Sequence, residues 1–222
     1  MRKLLSRVAL AAAAFGLVGV ATAAVAAPIG GSFVVNIWKG FGNGNITDPQ
    51  EQALPTNPLV APGNLIASFT YTGPIKFQEP SGGANDILSF LTSSGGTLGP
   101  FTVGDSNALN VLLSTGNFSD TTVMEFSGAT AHPLTGAISH DDGVSLFQGA
   151  LNVLPTSASA PTVDVATPYN LAPGNFDLWY VEANGLPADL TMDGTPVPEP
   201  ATLSVLGLGL LGLGFASRRK RG

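Results

Sequence analysis

The 222-residue sequence predicts an all-β protein, a jelly-roll-like antiparallel β-sandwich set between a signal helix and a C-terminal transmembrane helix. Three observations predict the sandwich. Residues 27–197 hold 21 Gly and 15 Pro, about a fifth of that segment against an ordinary ~12%. No stretch free of both exceeds eleven residues, and because both residues break helix interiors, a helical bundle is excluded. The runs between these breakers are short, β-branched and aromatic, with turn signals about every dozen residues.

The first element is residues 1–26, read as a signal peptide. Arg2, Lys3 and Arg7 give a charged start, Val8 to Val20 an apolar run, and Ala24-Val25-Ala26 the small-residue pattern that places cleavage after Ala26. The apolar run is short of the ~20 residues that a membrane span needs.

The acidic domain follows, at 27–195. Its clearest strands are Ser32–Trp38, Asn64–Tyr71, Thr121–Phe126, Val144–Phe147 and Phe176–Val181, with one or two helical turns at Asp86–Leu91. Residues 39–63, rich in Gly, Asn and Pro, read as a long surface connection. Trp38, Phe41, Trp179 and Tyr180 are expected to pack in the core rather than line a sugar-binding face.

The last element, 196–222, has three parts: Pro198-Glu199-Pro200, an apolar stretch at 201–216, and the basic tail Arg218, Arg219, Lys220 and Arg221. Sixteen helical residues span ~24 Å, short of a ~30 Å hydrocarbon core, and snorkelling by Arg218 or local thinning closes that gap. The basic tail stays cytoplasmic under the positive-inside rule, which puts the acidic domain outside. In this order the three parts resemble the PEP-CTERM sorting signal of bacteria that make exopolysaccharide. The resemblance implies export, recognition of Pro198, Glu199 and Pro200 by an exosortase-type transpeptidase, removal of the helix, and passage from a membrane-anchored intermediate to the cell surface or extracellular matrix. Gly207-Leu208-Gly209-Leu210-Leu211-Gly212 matches a dinucleotide-binding pattern letter for letter, but it lies inside the membrane stretch with no preceding strand, so small-residue helix packing is its reading.

Charge and residue usage remove several functions. Residues 27–197 carry fourteen Asp or Glu against Lys39 and Lys76 alone, and a surface that acidic repels a phosphate backbone, so nucleic acid is not an expected partner. With no Cys there is no disulfide, thiolate metal site or cysteine nucleophile; with only His132 and His140 there is no three-His zinc site. No G-x-S-x-G occurs. Two glycosylation sequons begin at Asn45 and Asn117, but the sorting tail argues against that machinery. No enzymatic role is expected.

One stretch carries candidate chemistry. Ile138-Ser139-His140-Asp141-Asp142-Gly143-Val144-Ser145 reads as a hairpin-like bend with two carboxylates at its tip. Adjacent carboxylates repel unless a cation or donor sits between them, and calcium is the usual extracellular hard cation. A solvated Asp-Gly turn needs no ligand and is the competing reading. Downstream, Leu171-Ala172-Pro173-Gly174-Asn175-Phe176-Asp177-Leu178 leads through Trp179-Tyr180 to Glu182-Ala183-Asn184-Gly185, and then to the closing run Ala188–Met192. Together, over residues 120–195, this order resembles the protective-antigen-type β-sandwich that also occurs in flocculin adhesins. The resemblance implies Asp141, Asp142 and Asn184 as calcium ligands, Gly143 as the turn glycine, and sugar hydroxyls completing the shell. Two functions are therefore expected: a surface or biofilm-matrix protein with calcium-dependent binding of extracellular polysaccharide, or a structural matrix protein without a specific ligand. A hydrolase using Asp141 or Asp142 with His140 is disfavoured, because glycosidase carboxylates stand ≈5–9.5 Å apart on facing elements.

Overall fold

The computed structural model describes residues 26–197. The expected signal helix and the membrane helix at 201–216 lie outside the described residues.

Among the described residues, twelve strands follow in chain order: β1 (Ala27–Pro28), β2 (Gly30–Gly40), β3 (Leu65–Pro74), β4 (Lys76–Glu79), β5 (Thr97–Val103), β6 (Thr121–Thr130), β7 (Leu134–Asp141), β8 (Gly143–Gln148), β9 (Leu151–Asn152), β10 (Val165–Leu171), β11 (Gly174–Glu182) and β12 (Ala188–Pro196). One helix, α1 (Ile87–Thr92), begins where the Asp86 carboxylate accepts the Ser89 N–H at 2.7 Å. All strand pairings are antiparallel. They make a seven-stranded sheet in the order β5-β3-β2-β6-β11-β8-β9 and a five-stranded sheet in the order β1-β12-β7-β10, with β4 also paired to β12. The expected antiparallel sandwich is the fold observed, and the five strands read from the sequence fall in β2, β3, β6, β8 and β11, save Asn64, which precedes β3 in a 3-10 turn.

Alternation of side chains along each strand builds the core between the sheets. Phe33, Val35 and Ile37 of β2 and Phe69 and Tyr71 of β3 point inward, toward Ile138 of β7 and Leu190 and Met192 of β12. Phe77 of β4 joins the two layers, with its ring centroid 5.1 Å from Tyr71 and 5.3 Å from Phe126. Burying such a side chain contributes about 1.5–3 kcal/mol.

A second apolar cluster covers the outer face of the seven-stranded sheet. Trp38 and Trp179 stack there at 5.7 Å, beside Val123 and Val181 and beneath Ala53 and Leu59. The segment after β2 is thus a packed cover rather than a solvated surface connection. It is tied down by Ala53 N–H to the Ser159 carbonyl (2.8 Å) and by Ser145 Oγ to the Ala53 carbonyl. Asn57 braces it internally, its amide donating to the Gln50 and Gln52 carbonyls, each at 2.8 Å. Of the four aromatics expected in the core, Trp38, Trp179 and Tyr180 are buried, and Phe41 stands 81% exposed.

The bend at 141–142 also differs from the hairpin expected. β7 lies in the five-stranded sheet and β8 in the seven-stranded one, so the chain crosses between layers at Asp141-Asp142. The polar tip reads like a turn in sequence, yet the apolar alternation on either side serves two different sheets.

Candidate functional site

The site grows from one row of the seven-stranded sheet. Ile37, Met124 and Tyr180 are cross-strand neighbours facing the core, and two residues further along each strand the same face carries Lys39, Thr122 and Glu182. Asp142, one residue before the Gly143–Val181 pair, continues this row. The core row therefore becomes polar at one end of the sandwich. The segment after Leu109 closes that end. Its Leu113 carbonyl accepts from Lys39 Nζ (3.2 Å) and from Thr122 Oγ1, while Ser114 Oγ donates to Glu182 Oε1 at 2.9 Å. Lys39 also pairs with Asp120.

Asp142 is fully buried. Its Oδ2 accepts two backbone N–H groups, from Ala183 at 2.9 Å and Asn184 at 2.7 Å. No hydrogen bond of ordinary geometry reaches its Oδ1, and the Glu182 carboxyl and the Thr162 backbone border the group. Burial raises the Asp142 carboxyl to about 6, against the pull of the two amides. Burial, and then the Asp142 charge, push Glu182 well above the carboxylate range. Two carboxyls in contact share one proton, and Glu182 holds it. Tyr180 completes the cluster, its hydroxyl lying 2.7 Å from Glu182 Oε2 and also bonding the Asp141 carbonyl.

His140 fixes the backbone at the crossing. Its Nδ1 lies 2.5 Å from the Asp142 carbonyl, an acceptor, so this nitrogen carries the proton. Nε2 therefore accepts from the Thr167 hydroxyl at 2.8 Å. Burial lowers the imidazole pKa, which keeps the ring neutral. Gly143 is required by proximity rather than by a turn: a Cβ there would stand 2.2 Å from the Ser159 carbonyl oxygen. The peptide bond between Asp141 and Asp142 is cis.

Asp141 lines a cavity of about 580 Å³ together with Lys76, Gln78, Glu79, Asp164 and Asp189. Asp141 is 8% exposed. Burial, and then the charges of Asp142, Asp164 and Asp189, raise it to about 7. Asp189 accepts the Gln78 amide at 2.7 Å through Oδ2, and its Oδ1 has no donor. Four carboxyls against one ammonium make this cavity a cation-attracting groove.

Of the residues expected to act together, Asp142 meets the 182–184 segment and Asp141 opens to the groove beside it. Asn184 contributes its backbone N–H to Asp142, and its side chain is exposed. Among the described residues no group of three or more His, Cys, Asp or Glu is placed to hold a metal ion. Sequence reasoning missed Glu182, Asp164 and Asp189. Strand parity could have found Glu182, since it follows core-facing Tyr180 by two residues; the other two meet Asp141 only through the pairing of β7 with β12 and the course of the chain before β10.

Residues 196–220 match the PEP-CTERM protein-sorting motif, so the chain carries this motif, which marks a protein for export and exosortase-mediated sorting to the surface. Pro198, Glu199, Pro200, Arg218, Arg219 and Lys220 fall within the match, and Arg221 directly follows it. No curated protein matches the chain. Among solved structures, the PA14 domain of the antifreeze protein MpAFP is weakly similar, at 14% identity and a TM-score of 0.46 over 78% of this chain and 86% of that one.

Proposed function

We propose that this exosortase-sorted surface protein binds extracellular carbohydrate through calcium held at the Asp141–Asp142 crossing. The observation that carries the reading is the pair of adjacent, buried carboxyls there. Asp142 Oδ1 is buried with no hydrogen bond of ordinary geometry, and the adjacent Asp141 lines a groove that holds three further acids and one Lys. Hard oxygen donors in a negative field suit calcium. Asp141, Asp142 and the amide oxygen of Asn184 would hold it, and the bound ion would offer open positions to sugar hydroxyls. Asp141 supplies charge at the groove, Asp142 anchors the 182–184 segment, and His140 holds the crossing with both ring nitrogens engaged. A histidine so committed is not free to act as a base, and the reading includes no catalysis.

Calorimetric titration of calcium into wild type and Asp141→Asn tests this. The expected result is binding in the 10⁻⁴–10⁻³ M range typical of extracellular modules, with one equivalent lost in the variant. Equal binding by both proteins would remove the site.

One observation favours a second reading, a structural matrix protein with no specific ligand. Asp142 is already engaged by two backbone amides and the protonated Glu182, which is a complete structural role. Retention of native stability by calcium-free protein, together with no calcium uptake, would favour it.

A further inference from the structure

A second group of unmatched oxygens belongs to residues other than those of the Asp141–Asp142 crossing, although the Asp142 charge reaches Glu51. Asp48 Oδ2, Gln50 Oε1 and Glu51 Oε1 are all buried without a hydrogen-bond partner, and all three belong to four consecutive residues of the segment covering the seven-stranded sheet. Glu51 is wholly buried. Its Oε2 accepts from Thr121 Oγ1 at 2.6 Å, so only Oε1 is unanswered.

What Oε1 faces is another acceptor. A Cβ added to Gly42 would stand 1.6 Å from Glu51 Oε1 and 2.4 Å from the Phe118 carbonyl oxygen, so both oxygens pack against this glycine close to one another and leave no room for a side chain. The Phe118 carbonyl already takes the Gly44 N–H at 2.9 Å. Two oxygens so placed repel unless a proton or a cation stands between them. Lys39 does not fill that role, because its ammonium is committed to Asp120 and the Leu113 carbonyl. Burial raises the Glu51 carboxyl to about 7; the Asp48 and Asp142 charges add to the effect, while the Thr121 hydrogen bond and the Lys39 charge oppose it.

We propose that Glu51, Asp48 and the Phe118 carbonyl form a second calcium site, distinct from the Asp141–Asp142 crossing, that pins the 41–64 segment onto the 116–119 segment. Calcium fits better than magnesium because the donors mix carboxylate, amide and carbonyl oxygens on irregular backbone. Calcium accepts 6–8 oxygens in flexible geometry, whereas magnesium demands a near-ideal octahedron. The pinning has a consequence within the fold. Ala53 and Leu59 of the same segment cover the Trp38–Trp179 stack, so loosening this segment bares two indoles.

The test uses the purified full chain and calcium alone. Equilibrium dialysis with labelled calcium counts bound ions in wild type, Glu51→Gln and Asp141→Asn, and tryptophan emission is read with calcium and with chelator. Glu51→Gln suits the fold, since the new amide can keep an oxygen for Thr121 and donate to the Phe118 carbonyl. The expected result is one calcium lost in Glu51→Gln and retained at this site in Asp141→Asn. A chelator-induced red shift of tryptophan emission is expected in Asp141→Asn and absent in Glu51→Gln. Should Glu51→Gln lack a cooperative melt, Asp48→Asn decides, with loss of the same calcium expected. Unchanged stoichiometry in the folded Glu51 variant, or in Asp48→Asn where that variant decides, would overturn the proposal and assign a proton to the gap. Absence of calcium from wild type would overturn it equally, and loss of calcium in Asp141→Asn alone would leave only the crossing as a site.

Discussion

Replacing Asp142 separates its structural role from its charge. Asp142→Ala removes the acceptor for the Ala183 and Asn184 N–H groups and leaves both unpaired at a closed end of the sandwich. Each unsatisfied group costs ≈1–3 kcal/mol, for a total of about 2–6 kcal/mol, partly offset by relief of the Asp142–Glu182 contact. Against a typical domain stability of 5–15 kcal/mol this is a severe loss. Asp142→Asn keeps one oxygen for the two amides and presents N–H to Glu182, so its cost in calcium-free protein is under ~1 kcal/mol. Urea unfolding at pH 7 with chelator measures both variants, using the midpoint at constant m. If alanine and asparagine cost the same, or alanine costs under ~1 kcal/mol, the amide-anchoring argument is wrong.

Three further predictions follow from the same geometry. Gly143→Ala forces a Cβ to within 2.2 Å of the Ser159 carbonyl and 2.9 Å of Val181 Cγ1, so it should cost roughly 1–3 kcal/mol or more in urea unfolding. Asp141 and Glu51 are raised to about 7 and Asp142 to about 6, above unfolded values near ~4, so the folded state binds these protons more tightly. Their stabilising contribution is full below pH ~4 and is lost as pH rises through about 6–7; the melting temperature in chelator should fall across that window, with the raised Glu182 extending the fall beyond it, and a rise there would contradict the assignments. Deleting residues 196–222 should keep the protein from its surface location, as should neutralising Arg218 to Arg221; fractionation that finds either variant normally placed would contradict the sorting assignment.

The sandwich was legible because breaker spacing and β-branched runs report on strands directly. Phe33, Val35 and Ile37 alternate in β2 as a half-buried strand should, and all three reach the core. The ends of the sandwich were less legible. Asp-Asp-Gly has the composition of a solvated turn, and nothing local reveals that β7 and β8 belong to different sheets, because that depends on β12 and β11 pairing with them from elsewhere in the chain. Asp141 and Asp142 were thus singled out as candidates and misplaced as surface. Gly143 was marked correctly for the wrong reason, since a neighbouring carbonyl rather than a turn conformation excludes a side chain. Glu51 sits in a segment that reads as loop, and its burial follows from Ala53 and Leu59 packing on a tryptophan pair assembled from strands 141 residues apart in sequence. The sorting motif was readable because its signal is linear, and the motif match covers residues 196–220.

The claim that the Asp141–Asp142 crossing is a calcium-dependent carbohydrate site is tested most directly by glycan-array binding of the purified chain, in millimolar calcium and in chelator, alongside Asp141→Asn. The account predicts saccharide binding that appears with calcium, disappears with chelator, and is lost in Asp141→Asn while the fold persists. Binding that survives chelation, or persists in Asp141→Asn, would contradict it, as would the absence of any saccharide bound in calcium.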